Sequence, residues 1–184
     1  MKTILLIVTI ICFKSYSQDL EFKNFKLEDG KLIWQKVYET ELSHDEILKS
    51  FKTSGIIKDI DPLGNSITGR IKNLDLDYKG FGKTEMNTAM YISRSYFKSF
   101  VLIELKEGRY RITLKEMKLI QKYSVGTPGE LFSSETGDTS ELKTFAVKNN
   151  NTDFRKSFKK TPSGILNFTF DNVFRIKKKK KSDW

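Results

Sequence analysis

The chain has 184 residues, of which 38% are hydrophobic, 12% aromatic and 30% charged, with 3 Pro and 11 Gly. This composition is that of one globular domain, with or without an appendage, and it excludes collagen, low-complexity and wholly disordered proteins. A single Cys excludes a disulfide framework and a Cys-based zinc cluster, a single His argues against a His-rich metal site, and the formal net charge of +10 favours anionic partners.

The first 17 residues have the order of regions found in a signal peptide. Lys2 supplies a positive charge, Thr3–Phe13 is an apolar run of 11 residues, and serines occupy positions 15 and 17, where signal peptidase requires small residues. A membrane-spanning helix needs about 20 apolar residues, so this run is too short to remain in a bilayer. We therefore expect export to the periplasm or the cell exterior, with cleavage after Ser17.

Two alternatives for this segment fit the residues less well. A buried N-terminal strand would not need the positive charge, the apolar run and the small residues in that order. A lipoprotein would be modified at Cys12, but Ile11 stands where a small residue is required. We therefore expect a mature chain, residues 18–184, that contains no Cys, is not a lipoprotein and has no transmembrane helix.

The positive charge is concentrated at the C-terminal end of the chain. Residues 18–141 carry 19 Lys and Arg against 20 Asp and Glu, whereas residues 142–184 carry 12 against 3. This distribution indicates a basic tail on a nearly neutral domain, and it argues against a nucleic-acid-binding fold. Five of the cations form one uninterrupted run, Lys177, Lys178, Lys179, Lys180 and Lys181.

The predicted elements begin after a polar N-terminal extension, residues 18–30, which ends in the turn signal Asp29-Gly30. Residues 32–39 alternate as a strand that places Trp34 and Tyr38 on the same face.

A helix is predicted directly after this strand. Ser43 and Glu46 have the spacing of a capping box, in which each side chain accepts a hydrogen bond from a backbone N–H at the helix start. An apolar stripe follows, and Gly55 is a natural terminator because glycine adopts the left-handed conformation without strain. We expect the helix to span about 44–54.

The middle of the chain predicts a set of antiparallel strands. A turn signal at 61–65 precedes the first of them, a glycine-containing loop at 75–87 follows it, and Glu107-Gly108 joins the last two. In the last strand the apolar phase jumps, which indicates a β-bulge near Lys115-Glu116. The predicted strands are 66–74, 89–94, 96–105 and 109–120.

The C-terminal quarter predicts a loop followed by helices. Residues 124–138 hold three Gly and one Pro, as loops do, and residues 139–147 are expected to form a short helix with a capping residue at its start. Thr161-Pro162-Ser163-Gly164 predicts a further break. Residues 165–176 fit both a strand and a helix, and we favour the helix because the apolar set continues to its end only at the helical period.

This order of a strand, a capped helix and antiparallel strands resembles a family of secreted Bacteroidota domains of unknown function with a TBP-like fold. The likeness covers about half of the chain and is carried by the strand with Trp34 and Tyr38, by Ser43–Ile47, by Ile67-Thr68-Gly69 and by Gly108–Arg111. It implies an α+β fold with a curved antiparallel sheet and helices packed on one face. It implies no catalytic or ligand-binding residue, and such a fold alone does not indicate DNA binding.

The expected organisation is therefore one α+β domain with flanking segments. These are the signal peptide at 1–17, the N-terminal extension at 18–30, the TBP-like domain at 31–123, a loop at 124–138, a helical C-terminal segment packed on the sheet at 139–176, and the basic tail at 177–184.

Few side chains are candidates for catalysis. His44 lies in the first turn of the predicted helix, where a solvent-exposed residue of the cap is the simpler interpretation. The acid pairs Asp59/Asp61 and Asp75/Asp77 lack the oxygen-rich loop of a calcium site. The sequence contains no glycine-rich phosphate loop, nucleophile elbow or HExxH motif. We therefore expect no catalytic residue, no metal site and no cofactor.

Two groups of residues are candidate contacts with a partner. Trp34, Tyr38 and Tyr110 could line a ligand-binding face of the sheet, although core packing is the more usual role of such aromatics. The five lysines at 177–181 could contact an anionic membrane surface, although a solvated helix end is the more usual explanation. Large residues on both faces of 96–105 further suggest that helices or a partner cover the second face.

The sequence thus predicts an exported envelope protein that acts as a non-enzymatic binding module for an unknown envelope protein or ligand. One alternative is adhesion through the basic tail to anionic lipid, lipopolysaccharide or a polyanion. Another is a hydrolase without a recognisable catalytic motif. No nucleic-acid partner is expected.

Overall fold

The computed structural model describes residues 20–122 and 137–176. Within these ranges the chain forms eight β-strands and five helices. In chain order they are β1 Leu20–Phe22, β2 Phe25–Glu28, β3 Lys31–Glu39, α1 His44–Ser54, β4 Lys58–Leu63, β5 Ser66–Asp75, α2 Met90–Ser93, β6 Ser95–Lys106, β7 Arg109–Gln121, β8 Thr139–Glu141, α3 Leu142–Ala146, α4 Lys156–Lys160 and α5 Pro162–Phe174.

The strands form one antiparallel sheet, which confirms the predicted α+β class. Seven strands follow the order β1-β2-β3-β7-β6-β5-β4, and the short β8 pairs with the end of β7. Each neighbouring pair is antiparallel, and glycine lies in the tight turns that join β2 to β3, β4 to β5 and β6 to β7. No helix within 20–122 or 137–176 has the length and apolar content needed to cross a membrane.

The predicted β-bulge in β7 is confirmed. Glu116 adopts a left-handed conformation with φ of 52°, and the pairing with β6 shifts between Lys98 and Phe100. The Ser99 hydroxyl donates a hydrogen bond of 2.8 Å to the carbonyl of Lys115 beside the shift. β3 pairs with β7 up to Leu114, and β8 pairs with β7 beyond the bulge, so the two strands share one edge of β7.

The predicted helix α1 is confirmed together with its caps. The Ser43 side chain accepts from the backbone N–H of Glu46, and the Glu46 carboxylate accepts from the backbone N–H of Ser43 at 2.8 Å. Gly55 ends the helix with φ of 67°. The buried face of α1, Ile47 and Phe51, packs on the sheet.

The core lies between the sheet and α5. Phe170 sits between strands β3 and β6, with ring centroids 5.2 Å from Trp34 and 4.8 Å from Phe97. The Trp34 indole N–H donates a hydrogen bond of 2.9 Å to the Asn167 side chain, so the buried indole is satisfied. The preference for a helix at 165–176 is therefore confirmed up to Phe174, and the C-terminal segment packs on the sheet as expected.

The structure differs from the predicted elements at the N-terminus. Within the segment expected to be an extension, β1 and β2 form a hairpin that adds two strands to the sheet. Phe25 is fully buried, and its ring lies 5.1 Å from that of Phe158 in α4. β2 has only four residues and therefore gives little periodic signal in the sequence. It is stabilised by packing against α4, more than a hundred residues away.

Three further predictions differ from the structure in part or in whole. Residues 89–94, expected to be a strand, contain the helical turn α2, since Arg94 donates its backbone N–H to the carbonyl of Met90 at 2.9 Å. The break at 161–164 is only a junction between helices, because Pro162 is tolerated in the first turn of α5, where its missing N–H has no intrahelical partner to bond. The helix expected at 139–147 instead starts as β8 and becomes α3 at Leu142.

The edge strand β4 is unsuited to pairing with another chain. Asp59 has a positive φ of 53°, and the pairing of β4 with β5 is irregular there. Pro62 lies within β4 and cannot donate a backbone hydrogen bond. A bulge and a proline on an edge are devices that limit edge-to-edge association.

Candidate ligand cleft

A cleft of about 720 Å³ lies beside α2, at the end of the sheet where β7 pairs with β8. The loop before α2, the end of β7, β8 and α3 surround it. Its volume falls in the range of about 300–1,000 Å³ that is usual for small-molecule sites. Its lining includes Glu85, Tyr91, Ser93, Arg94, Gln121, Lys122, Ser140 and Phe145.

Two stacked aromatic rings form one wall of the cleft. Tyr91 of α2 and Phe145 of α3 have ring centroids 4.3 Å apart and an interplanar angle of 11°. The two residues are 54 positions apart in the sequence, and the fold brings them together because α2 and α3 both pack against β7. The wall is therefore a product of tertiary structure.

Two hydroxyl groups at this cleft are buried without a hydrogen-bond partner. They belong to Tyr91 and to Ser93, and only 7% of the Ser93 residue is exposed. Burial raises the pKa of the Tyr91 phenol to about 12, so the group carries its proton at neutral pH. A buried hydroxyl without a partner costs about 1–3 kcal/mol of folding free energy. Unpartnered buried hydroxyls at a cleft of this size mark it as a candidate ligand site.

The charged side chains of the cleft form pairs. Arg94 donates from Nε to the Glu85 carboxylate at 2.9 Å. The Lys122 ammonium contacts the Asp75 carboxylate and lies 4.9 Å from the centroid of the Tyr96 ring. Each cation at the cleft is thus matched by a carboxylate, and these four side chains sum to zero charge.

The rim of the cleft is fixed to the rest of the protein. Asp77, at the start of the loop that leads to α2, donates its backbone N–H to the Thr169 hydroxyl of α5 at 2.9 Å. The Phe81 ring in the same loop lies 5.8 Å from that of Phe168. On the other side, the backbone N–H of Lys122 donates to the carbonyl of Arg94 at 2.9 Å. These contacts anchor the loop before α2 and the end of β7.

The aromatic residues predicted as sheet-face contacts lie inside the core. Trp34, Tyr38 and Tyr110 are 0%, 4% and 2% exposed, on the face that α1 and α5 cover. The rings of Tyr38 and Tyr110 stack with centroids 5.2 Å apart. The Tyr110 hydroxyl donates to the carbonyl of Phe174 at 2.8 Å and accepts from the backbone N–H of Ile176 at 3.2 Å. The structure therefore favours core packing over ligand contact for these three residues.

The second face of β6 is only partly covered. Tyr96, Phe100 and Leu102 on this face are half-buried, whereas Phe97 and Val101 on the helix-covered face are fully buried. The large residues on both faces of 96–105 thus belong to one helix-covered face and one face that the described residues leave partly open.

A charged cluster holds the end of α5 to the sheet. The Asp171 carboxylate accepts from the Lys36 ammonium at 2.6 Å and from the Arg175 guanidinium at 3.0 Å. Burial raises the pKa of Asp171, but the hydrogen bonds from Lys36 and Arg175 outweigh it, so the net pKa lies below its usual value. The Tyr38 hydroxyl, close to this carboxylate but without hydrogen-bond geometry to it, has its pKa raised by burial and by the negative charge.

Of the candidates for catalysis, Asp75 lies at the cleft through its contact with Lys122. His44 is exposed at the start of α1. Asp59 pairs with Lys72 at 3.0 Å, and Asp77 accepts from the backbone N–H of Gly80 at 2.7 Å. The described part of the chain holds no group of three or more His, Cys, Asp or Glu that could bind a metal ion. The predicted signal peptide at 1–17 and the predicted surface contacts Lys177, Lys178, Lys179, Lys180 and Lys181 lie outside the described residues.

Two solved structures are similar to this chain. One is a TBP-like protein from Parabacteroides distasonis ATCC 8503, with a TM-score of 0.46, 15% sequence identity, and coverage of 80% of this chain and 92% of that one. The other is a DUF4468 family protein from Bacteroides ovatus ATCC 8483, with a TM-score of 0.43, 10% identity, and coverage of 83% and 91%. No known protein family and no curated protein matches the sequence.

Proposed function

We propose that the protein is an exported, non-enzymatic binding module of the cell envelope and that its ligand occupies the cleft beside α2. The observation that carries the proposal is the pair of buried hydroxyls, of Tyr91 and Ser93, that have no hydrogen-bond partner and belong to residues lining the cleft. A ligand that bonds to either group removes a cost that the folded protein otherwise bears.

The chemistry of the cleft supports binding more than catalysis. A general base or acid works best with a pKa near the operating pH. The Tyr91 phenol has its pKa moved upward to about 12, away from neutrality, which suits a hydrogen-bond donor. Arg94 and Lys122 are each held by a carboxylate. The hydrolase alternative therefore has no support from these side chains.

Spectra of residues 18–184 test binding at this site. A ¹H–¹⁵N titration against a panel of sugars, nucleosides, amino acids and fatty acids should move the amides of α2, α3 and the end of β7. Gln121→Trp, an exposed position that lines the cleft, should abolish the response by filling the mouth. Lys98→Trp, an exposed position on the neighbouring strand, is the matched control and should respond as the wild type does. Shifts that persist in Gln121→Trp would place the ligand elsewhere.

Export is tested by intact-mass measurement of the protein isolated from its host. The charge, apolar run and small residues at 1–17 predict a mature form that begins at Gln18. A mature form that retains Thr3–Phe13 would contradict export by cleavage.

A second function, adhesion through the basic tail, is supported by the contacts at the end of α5. The Tyr110 hydroxyl bonds to the backbone of Ile176, and the Asp171 carboxylate bonds to Arg175 and Lys36. The chain is therefore fixed to the sheet at Ile176, one residue before the lysine run begins. Five lysines that start from a fixed point can act together on an anionic surface, with about 1 kcal/mol from each that reaches it.

A further inference from the structure

We propose that the ligand of the cleft is a neutral sugar ring, bound with its C–H face against the aromatic wall and its hydroxyl edge toward the polar wall. This inference rests on the proposed binding function and specifies the class of ligand. It follows from the two walls of the cleft and from the pairing of its charges.

The two walls differ in chemistry in the way a sugar ring does. Tyr91 and Phe145 provide an aromatic surface. Ser93, Ser140 and Gln121 provide two hydroxyls and an amide, which donate and accept hydrogen bonds without net charge. A pyranose ring presents axial and ring C–H groups on one face and hydroxyl groups along its edge. Such a ring can bury its apolar face on the aromatic wall while its hydroxyls bond to the polar wall.

The charge pairs favour a neutral ligand over an anion. A phosphate or carboxylate ligand is bound most strongly by cations that are free to bond to it. At this cleft Arg94 bonds to Glu85 through Nε and Lys122 contacts Asp75, so an anion bound to either cation would face the negative charge of the neighbouring carboxylate.

The orphaned hydroxyls argue against a purely apolar ligand. A hydrocarbon in the cleft would leave the hydroxyls of Tyr91 and Ser93, which are already shielded from water, without partners. A ligand with several hydroxyl groups supplies both donors and acceptors, so either buried hydroxyl can be satisfied whichever role it takes. Sites built on unpaired polar groups discriminate strongly against ligands that cannot bond to them.

The experiment compares matched probes on residues 18–184 by the same ¹H–¹⁵N titration. The neutral probes are glucose, N-acetylglucosamine, maltose and chitobiose at millimolar concentration, the anionic probes are glucuronate and glucose 6-phosphate, and the apolar probe is indole. We expect shifts at α2 and α3 with at least one neutral sugar and weaker ones with its anionic analogue. A response to a disaccharide but not to its monosaccharide identifies a segment of a polysaccharide as the source, and an equal response identifies a free sugar.

Variants connect the binding to the two hydroxyls. Tyr91→Phe and Ser93→Ala should each weaken sugar binding by roughly 3- to 10-fold, the loss of one hydrogen bond. Ser99→Ala, a buried serine on β6 that bonds to Lys115 away from the cleft, should leave the affinity unchanged. Preference for the anionic probes, for indole, or for another class in the wider panel at the same amides would overturn the sugar inference and leave the binding function standing. Absence of any response at the cleft would overturn both.

Discussion

The phenol of Tyr110 on β7 donates a buried hydrogen bond of 2.8 Å to the carbonyl of Phe174, the last residue of α5. The last carbonyls of a helix have no intrahelical partner. This side chain therefore caps α5 from the sheet and fixes the point at which the helix ends.

Tyr110→Phe should destabilise the protein by about 1–3 kcal/mol, because the buried carbonyl of Phe174 loses its donor. For a domain of this size, each kcal/mol lowers Tm by roughly 2–4 °C. Tyr91→Phe also removes a phenol oxygen, but this one has no hydrogen-bond partner. The substitution should therefore leave Tm unchanged or raise it slightly. Thermal melts of the two variants test the difference, and equal losses would contradict the assignment of partners.

Gly69→Ala should destabilise the protein by about 1–3 kcal/mol through overpacking. Gly69 lies in β5, and a Cβ there would be 2.4 Å from Cγ2 of Ile57 and 3.1 Å from the backbone carbonyl of Lys58. Urea unfolding of Gly69→Ala, Ile57→Ala and the double variant measures the coupling. We expect the alanine at 69 to cost less when Ile57 is already truncated, and a purely additive result would show that the two positions do not compete for space.

Protonation of Asp171 should weaken the fold at acid pH. Its folded-state pKa is lowered, so the ion pairs with Lys36 and Arg175 contribute above the unfolded-state pKa of about 3.9 and are lost as pH falls through the folded-state value. Asp171→Asn should cost about 1–2 kcal/mol at pH 7 and progressively less below pH 4. Urea unfolding at several pH values checks this, with the exposed Asp61→Asn as control. A cost for Asp171→Asn that does not change with pH would contradict the charged role.

Ser43→Ala should destabilise α1 by about 1 kcal/mol, because its side chain caps the backbone N–H of Glu46. His44→Ala, at the next and exposed position, should have little effect. Circular dichroism melts of the two variants are sufficient. A larger loss for His44→Ala would show that the histidine has a partner that this fold does not account for.

Deletion of 177–184 should leave Tm nearly unchanged and should abolish salt-sensitive binding to anionic vesicles. Deletion of 165–184 should unfold the domain, because it removes the fully buried Ile165, Leu166, Phe170 and Phe174, each worth roughly 1.5–3 kcal/mol. Thermal melts and co-sedimentation with phosphatidylserine vesicles at two salt concentrations measure both effects. Vesicle binding that survives the shorter deletion would remove the lysine run from the functional surfaces.

The elements that could be predicted from the sequence are those stabilised by contacts between residues close together in the chain. The capping box at Ser43 and Glu46 and the left-handed Gly55 mark α1 because these contacts span only a few residues. The bulge at Glu116 was also predictable, since a change of apolar phase in a strand needs an extra residue.

The candidate cleft was not predictable because its parts meet only in three dimensions. Residues 89–94 have a short apolar run that periodicity cannot assign, and a strand there would not have placed Tyr91 against Phe145. The aromatic residues that stood out in the sequence, Trp34, Tyr38 and Tyr110, lie in the core because α5 covers them. A sequence pattern shows which residues share one face of a strand, but it does not show which helix packs on that face.

The bond between Trp34 and Asn167 has a consequence for the order in which the protein can fold. It joins residues 133 positions apart, and the helix that supplies Asn167 is the last element described. A chain that is synthesised from its N-terminus therefore completes the strands of its sheet long before it has the helix that covers them, and long-range contacts of this kind form slowly. Until residues 162–174 leave the ribosome, Trp34 and Phe97 have no partner in α5. We therefore expect the unfinished chain to expose the apolar face of its sheet, the kind of surface that chaperones bind.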